Sequence, residues 1–273
     1  MKLNDLIIVR GGGDLATGVI HRLWSAGLYV LVLETDRPSA IRRQVSLCDA
    51  VYEGQAEVEG AVAVRVDGVE EMERVWNEGR IPLMVDPEGK MIRHLKPSVV
   101  VDAILAKRNI GTCRSMAPLT IGMGPGFTAG EDVDAVIETM RGHDLGRVIR
   151  RGTALANTGV PGMVGGYAAE RVIHAPCAGT FHIVKDIGSF VEREEVIGEI
   201  DCGDHVCPVP ATIPGLLRGI IREGYEVPKG FKIADIDPRR EEYQNCFTIS
   251  DKARCIAGSV LELVCRFLLT GEK

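Results

Sequence analysis

Leu6-Ile7-Ile8-Val9-Arg10-Gly11-Gly12-Gly13-Asp14-Leu15-Ala16-Thr17-Gly18 is the stretch on which the fold of the first half turns. Four apolar residues in a row suit a strand buried on both faces, and the glycines that follow permit a turn that side chains would block. Beyond the turn, Leu15, Val19, Leu23 and Trp24 recur at helical spacing up to Gly27, a natural C-terminal cap. A second apolar run, 29–33, closes on Glu34. Gly11-x-Gly13-x-x-Ala16 fits the dinucleotide fingerprint, in which small residues bring a pyrophosphate close to a helix N-terminus. Glu34 stands about where an acid would accept a ribose hydroxyl. The candidate cofactor-binding residues here are Gly11, Gly12, Gly13, Asp14, Leu15, Ala16 and Glu34. The competing reading is a half that keeps the turn and binds no dinucleotide. Asp14 would oppose a phosphate unless it points away as a helix cap. Arg37, Arg42 and Arg43 either offset that charge, hold a phosphate of their own, or form a solvated helix face.

Short apolar runs continue at 61–66, 82–85 and 99–103, separated by helical segments, which predicts a parallel, doubly wound sheet. Ligands of such sheets bind beyond the carboxyl ends of the strands, which singles out Asp86 and Asp102, with Lys107 and Asn109 close behind. A strand-end Asp is also a common helix cap. A second glycine cluster, Gly122-Met123-Gly124-Pro125-Gly126-Phe127-Thr128, follows the run Leu119-Thr120-Ile121. Its backbone N–H groups could form an anion nest on the same sheet edge, so Gly122, Gly124 and Gly126 join the cofactor-binding candidates. The alternation Val133, Ala135, Ile137 favours a strand. His143 lies in a polar turn and reads either as an acid–base contact or as an exposed turn histidine. Asp102, Lys107 and His143 are the catalytic candidates.

Laid over itself at an offset of 36 residues, the chain aligns Ala175 with Ala211, Gly179 with Gly215, Gly188 with Gly224, Val191 with Val227, Ile197 with Ile233 and Ile200 with Ile236. Each copy reads as short strands turned at glycines. The copies resemble the halves of a biotinyl/lipoyl-type barrel-sandwich hybrid. The connection between them, 201–208, lacks the lysine that carries the cofactor in carrier domains, so the module resembles the non-modified kind. The same connection gathers Cys202, His205 and Cys207, with His174, Cys177 and His182 in the same module. These are candidate soft-metal ligands or ordinary loop residues. Ser250-Asp251 can cap a last helix whose stripe Ile256, Val260, Leu263, Val264, Phe267 and Leu268 is expected to pack on the first domain or on a dimer partner.

In the 273 residues, 45% are hydrophobic and 26% charged, which excludes a disordered chain. The 32 glycines exceed the ordinary ~7%, without a collagen period. A net charge of −6 with scattered Lys and Arg gives no footprint for nucleic acid or an anionic membrane. No apolar run is long enough to span a bilayer and no leader pattern opens the chain, so a cytoplasmic location is expected. The eight cysteines include no CxxC pair and read mostly as reduced thiols.

Together these features predict an α/β fold: a Rossmann-like, mainly parallel sheet over 1–168, an all-β barrel-sandwich hybrid module over 169–238, and a C-terminal segment with a helix over 239–273. The segments 8–18, 101–107, 124–127, 136–143 and 249–254 resemble the YqeB family, accessory proteins of selenium-dependent molybdenum hydroxylases. That resemblance implies a cytoplasmic maturation factor, with a molybdenum hydroxylase as partner and a phosphate-bearing small molecule as ligand, such as molybdopterin or a nucleotide, held at the glycine loops. It also implies chalcogen transfer, for which Cys113 near the second loop is a candidate thiol. The alternatives are an NAD(P)-dependent oxidoreductase, motivated by Gly11, Gly13 and Glu34, and a non-catalytic scaffold that docks a hydroxylase subunit.

Overall fold

The computed structural model describes residues 6–159 and 162–273. They form two units, each discontinuous in sequence: Met1–Pro38, Ser46–Asn157 and Ile249–Lys273 make the first, Ser39–Val45 and Thr158–Thr248 the second.

In the first unit, β1 (Ile7–Arg10) leads through the triple-glycine turn into α1 (Asp14–Ser25) and β2 (Val30–Glu34). After α2 (Ala50–Glu53) come β3 (Gln55–Val58), β4 (Ala61–Arg65), α3 (Val69–Asn77), β5 (Ile81–Val85), α4 (Lys90–Leu95) and β6 (Val99–Asp102). The chain continues with β7 (Leu119–Met123), β8 (Thr128–Ala129), β9 (Ala135–Ile137), β10 (Val148–Ile149) and β11 (Gly152–Thr153). Nine of these strands form one sheet in the order β10-β9-β7-β6-β1-β2-β5-β4-β3. The central strands are near-continuous apolar runs because helices or loops cover both faces. Ile7, Ile8, Val9, Val99, Val100 and Val101 are all fully buried. The long α5 (Asp251–Thr270) returns to this unit, capped by the Ser250 hydroxyl, which accepts from the Ala253 N–H. It lies so close to α1 that a Cβ on Gly18 would stand 2.8 Å from the Ala253 Cβ.

The predicted Rossmann-like sheet is corrected in two respects. The sheet is mixed, since β3 pairs antiparallel with β4 at one end and β10 with β9 at the other. In addition, β5 lies between β2 and β4, an order that a simple winding outward from β1 does not produce. The cause is local. Glu59 and Gly60 both have positive φ, +48° and +81°. A two-residue left-handed turn of this kind folds the chain back as a hairpin instead of sending it through a crossover helix.

The second unit contains β12 (Val172–His174), β13 (Gly179–Ile183), β14 (Phe190–Val191), β15 (Val196–Asp201), β16 (Val206–Pro210), β17 (Gly215–Ile220), β18 (Tyr225–Val227) and β19 (Lys232–Asp237). They form two separate four-stranded antiparallel sheets, β12-β19-β17-β14 and β16-β15-β13-β18. The expected barrel-sandwich hybrid is therefore corrected: the module is a pair of distinct sheets and not a clear barrel-sandwich. The 36-residue period is visible in the strands. β13 and β17 each open on a glycine, and a side chain on Gly179 or Gly215 would collide with the carbonyl of Asp201 or Asp237 respectively. Phe181, Ile197, Ile200, Leu217, Ile233 and Ile236 are among the buried residues that fill this unit's core.

Arg42 and Arg43 form no solvated helix face, since Arg42 is buried and Arg43 largely so. Arg42 Nη2 donates to the Asn245 carbonyl at 3.0 Å, and Arg43 donates to the Ile220 carbonyl and to Asp186, all within the second unit.

Candidate functional site

The carboxyl edge of the nine-stranded sheet collects most of the candidates. Arg10 and Asp102 end adjacent strands as register partners and are 3% and 1% exposed. Their ion pair spans 3.6 Å. Thr112 connects them, accepting from Arg10 Nη1 and donating to Asp102 Oδ2 at 2.6 Å. Arg10 Nη2 also donates to the Pro87 carbonyl, and Ile104 N–H to Asp102 Oδ1. Each charge is thus satisfied by protein groups, as burial of an ion pair demands. Asp102 acts as an anchor for the loop that follows. Lys107 is exposed on that loop with φ +61°, and His143 is exposed in a turn. Among the described residues no hydrogen bond or ion pair joins Asp102, Lys107 and His143. Asp86 receives the Met91 N–H at 2.8 Å, serving the first turn of α4.

The glycines of the two loops answer mainly to chain packing. A Cβ on Gly11 would lie 3.0 Å from the Ala103 carbonyl oxygen, and one on Gly12 3.1 Å from the Cys48 nitrogen. In the second loop, Gly122 faces the Phe127 ring, Gly124 the Thr139 hydroxyl and Gly126 the Arg108 backbone, each at 2.6 Å from a built Cβ. Only Gly13 of these six has open space around it. The Gly12 N–H, which a phosphate would require, donates instead to Glu34 Oε2 at 2.7 Å, while Glu34 Oε1 accepts from Thr35 N–H. Burial pushes the Glu34 carboxyl above its ordinary value, against the lowering pull of those two N–H groups. Asp14 is the first residue of α1, so the positive end of that helix already has a carboxylate beside it. Leu15 and Ala16 simply begin the helix. These features do not fit a dinucleotide pyrophosphate.

A pocket of about 410 Å3 opens beside β10, lined in part by Glu138, Arg147, Arg150, Arg151, Thr153 and Leu155. Glu138 is 2% exposed, and its carboxylate accepts from the Met140 and Leu155 N–H groups at 2.6 and 2.8 Å. Arg147 is paired with Asp144 at 3.1 Å. Arg150 and Arg151 make no ion pair among the described residues and are exposed. Lys252, the second residue of α5, is half-buried. Burial and then the Arg141 guanidinium lower its ammonium's pKa, while Asp14, Glu138 and Asp251 pull the other way. Sequence reasoning did not select the arginine pair as site residues. Arg150 and Arg151 are adjacent in the sequence, but their pocket is made by strand pairing that spacing does not reveal.

In the second unit, His205 Nδ1 bonds Asp204 at 2.6 Å, whereas Cys202 Sγ lies 2.8 Å from Cys177 Sγ. The described residues hold no group of three His, Cys, Asp or Glu arranged to bind a metal ion. Cys113 is exposed, with its sulfur 3.2 Å from the Ser115 hydroxyl. Among the described residues, no helix is long and apolar enough to cross a membrane.

Fold and site define a two-unit α/β protein with an arginine-lined pocket at one end of a mixed sheet. No family model matches the chain. It is 46% identical over 270 residues to the "Uncharacterized protein YqeB" of Escherichia coli (strain K12), covering 99% of this chain and 49% of the relative. This identity supports the YqeB family name, and the chain spans about half the length of the relative it matches. Solved structures that resemble it include a succinylglutamatedesuccinylase/aspartoacylase from Rhodobacter sphaeroides, 16% identical with a TM-score of 0.29 over 86% of each chain. An aspartoacylase family protein from Mesorhizobium loti is 11% identical, with the same TM-score and coverage. Similarity this low carries no argument about activity.

The functional expectations are corrected. None of these structural neighbours is a molybdenum hydroxylase accessory protein or an NAD(P)-dependent oxidoreductase; they carry desuccinylase and aspartoacylase names. In the first loop the Gly12 N–H is taken by Glu34, and five of the six loop glycines lie close to other parts of the chain. Selenium, molybdenum cofactor and hydroxylase docking have no support in these findings.

Proposed function

We propose that the first unit binds a small organic anion in the pocket beside Glu138, with Arg150 and Arg151 supplying the positive charge. The observation that carries this reading is the arginine pair itself: two exposed guanidinium groups without ion-pair partners among the described residues, on the wall of one pocket, in a chain of net charge −6. Guanidinium groups bind carboxylates and other oxyanions through paired hydrogen bonds. The volume is within the range of small-molecule sites. Leu155 gives the pocket an apolar wall, which favours an anion with a carbon skeleton over a bare ion.

Calorimetric titration of the full chain with mono-, di- and tricarboxylates and with sulfate tests this. At least one organic anion should bind more tightly than sulfate. The Arg150→Ala/Arg151→Ala variant should weaken it about 10-fold or more, corresponding to the loss of about one charged hydrogen bond. The paired Lys variant should retain part of the affinity. Binding unaltered by the Ala pair, or absent across the series, overturns the reading.

A further inference from the structure

Three cysteines from separate stretches of the second unit meet at one place. Cys177 lies in the turn before β13, Cys202 directly after β15 and Cys207 within β16. All three are partly buried against the unit's core. The Cys202 and Cys177 sulfurs are 2.8 Å apart, and Cys207 is also within hydrogen-bonding reach of Cys177. We propose that Cys177 and Cys202 form a reversible, redox-active dithiol, oxidised to a disulfide by small-molecule disulfides that reach the half-exposed pair.

Closing the bond at ~2.05 Å requires the sulfurs to approach by less than about 1 Å. The internal repeat shows that the fold does not need sulfur at this junction. At the 36-residue offset Cys177 and Cys202 correspond to Ile213 and Pro238. The second copy therefore makes the equivalent turn and strand end without a thiol, and Ile213 there is 3% exposed.

The exchange balances as follows. A thiolate of the pair attacks one sulfur of the small disulfide, breaking its S–S bond and releasing one small thiol once that takes up a proton. The second cysteine, giving up its proton, displaces the other half and closes the protein disulfide. The two cysteines lose two electrons and two protons, and both appear in the two small thiols. Cys177 has its thiol pushed up to about 12, by its hydrogen bond with Cys202 first, then by burial and by Cys207.

The test incubates the full chain with oxidised glutathione, then maps disulfides by non-reducing peptide mass spectrometry. The expected result is a Cys177–Cys202 bond, a loss of two titratable thiols, and their return with dithiothreitol. Cys207→Ser should still form the bond, whereas Cys202→Ser should not lose the thiol pair. A bond mapped to Cys202–Cys207 or Cys177–Cys207, or no intramolecular bond in the wild-type chain, overturns the proposal.

Discussion

Glu34 shows how one residue can match a motif and serve another purpose. It ends β2 at the position of a ribose-binding acid, yet both carboxylate oxygens accept backbone N–H groups, from Gly12 and Thr35. Burial is the largest influence and raises its pKa from 4.5. The folded chain then holds this proton more tightly than the unfolded chain. The stability it contributes is full below the ordinary carboxylate value and is lost as pH rises through the raised folded value. Glu34→Gln cannot ionise, so its denaturation midpoint should fall less than that of the wild type across that window. Parallel pH profiles for the two proteins would rule out this account. The sequence contains the acid and its spacing. It does not contain the direction of the carboxylate, which is set by how closely the Gly12 backbone approaches it.

At the scale of elements, glycines separate two roles that composition merges. Gly18 is buried on α1, and a Cβ there would meet Ala253 of α5 at 2.8 Å. Gly258 lies in the exposed interior of α5 with nothing within 4 Å. Gly18→Ala should therefore force the helices apart and destabilise the protein by about 1–3 kcal/mol. Gly258→Ala should stabilise it by roughly 0.5–1 kcal/mol, because it removes only backbone freedom. Urea denaturation of both variants checks the pair, and equal shifts of the same sign would refute the packing argument. The strand, glycine turn, helix and strand of 7–34 were legible because burial on both faces and helical periodicity are local signals. So was the 36-residue period. The β3/β4 hairpin was not legible, because it depends on Glu59-Gly60 taking left-handed conformations, and a Glu at such a position gives no turn signal. The alternation of Val133, Ala135 and Ile137 marked β9, but the pocket of Arg150 and Arg151 stayed hidden because its partner β10 is two residues long and has no periodicity to read.

For the whole molecule, the decisive feature is that neither unit is a contiguous segment. Between β2 and α2 the chain lends seven residues, Ser39–Val45, to the second unit before it resumes the first. These residues are structural parts of the unit they join. The Ile41 carbonyl accepts from the Ile220 N–H at 2.8 Å, and Arg43 Nε donates to the Ile220 carbonyl at 3.0 Å, so together they pair the backbone of β17. Gly219 has no side chain where the Ile41 carbonyl comes within 3.1 Å of a built Cβ. Arg42 adds its bond to the Asn245 carbonyl. A fragment of residues 158–248 should therefore be less stable than the same fragment with 39–45 fused through a flexible linker. Three of these hydrogen bonds at about 0.5–1.5 kcal/mol each, with the Arg43–Asp186 pair, solvent-exposed on its Asp186 side, adding little, put the difference on the order of 2–4 kcal/mol. Urea midpoints of the two fragments measure it, with the Ile220 amide's hydrogen-exchange protection as a local readout. Equal midpoints and equal protection would mean that the inserted segment only rests on a unit already complete without it.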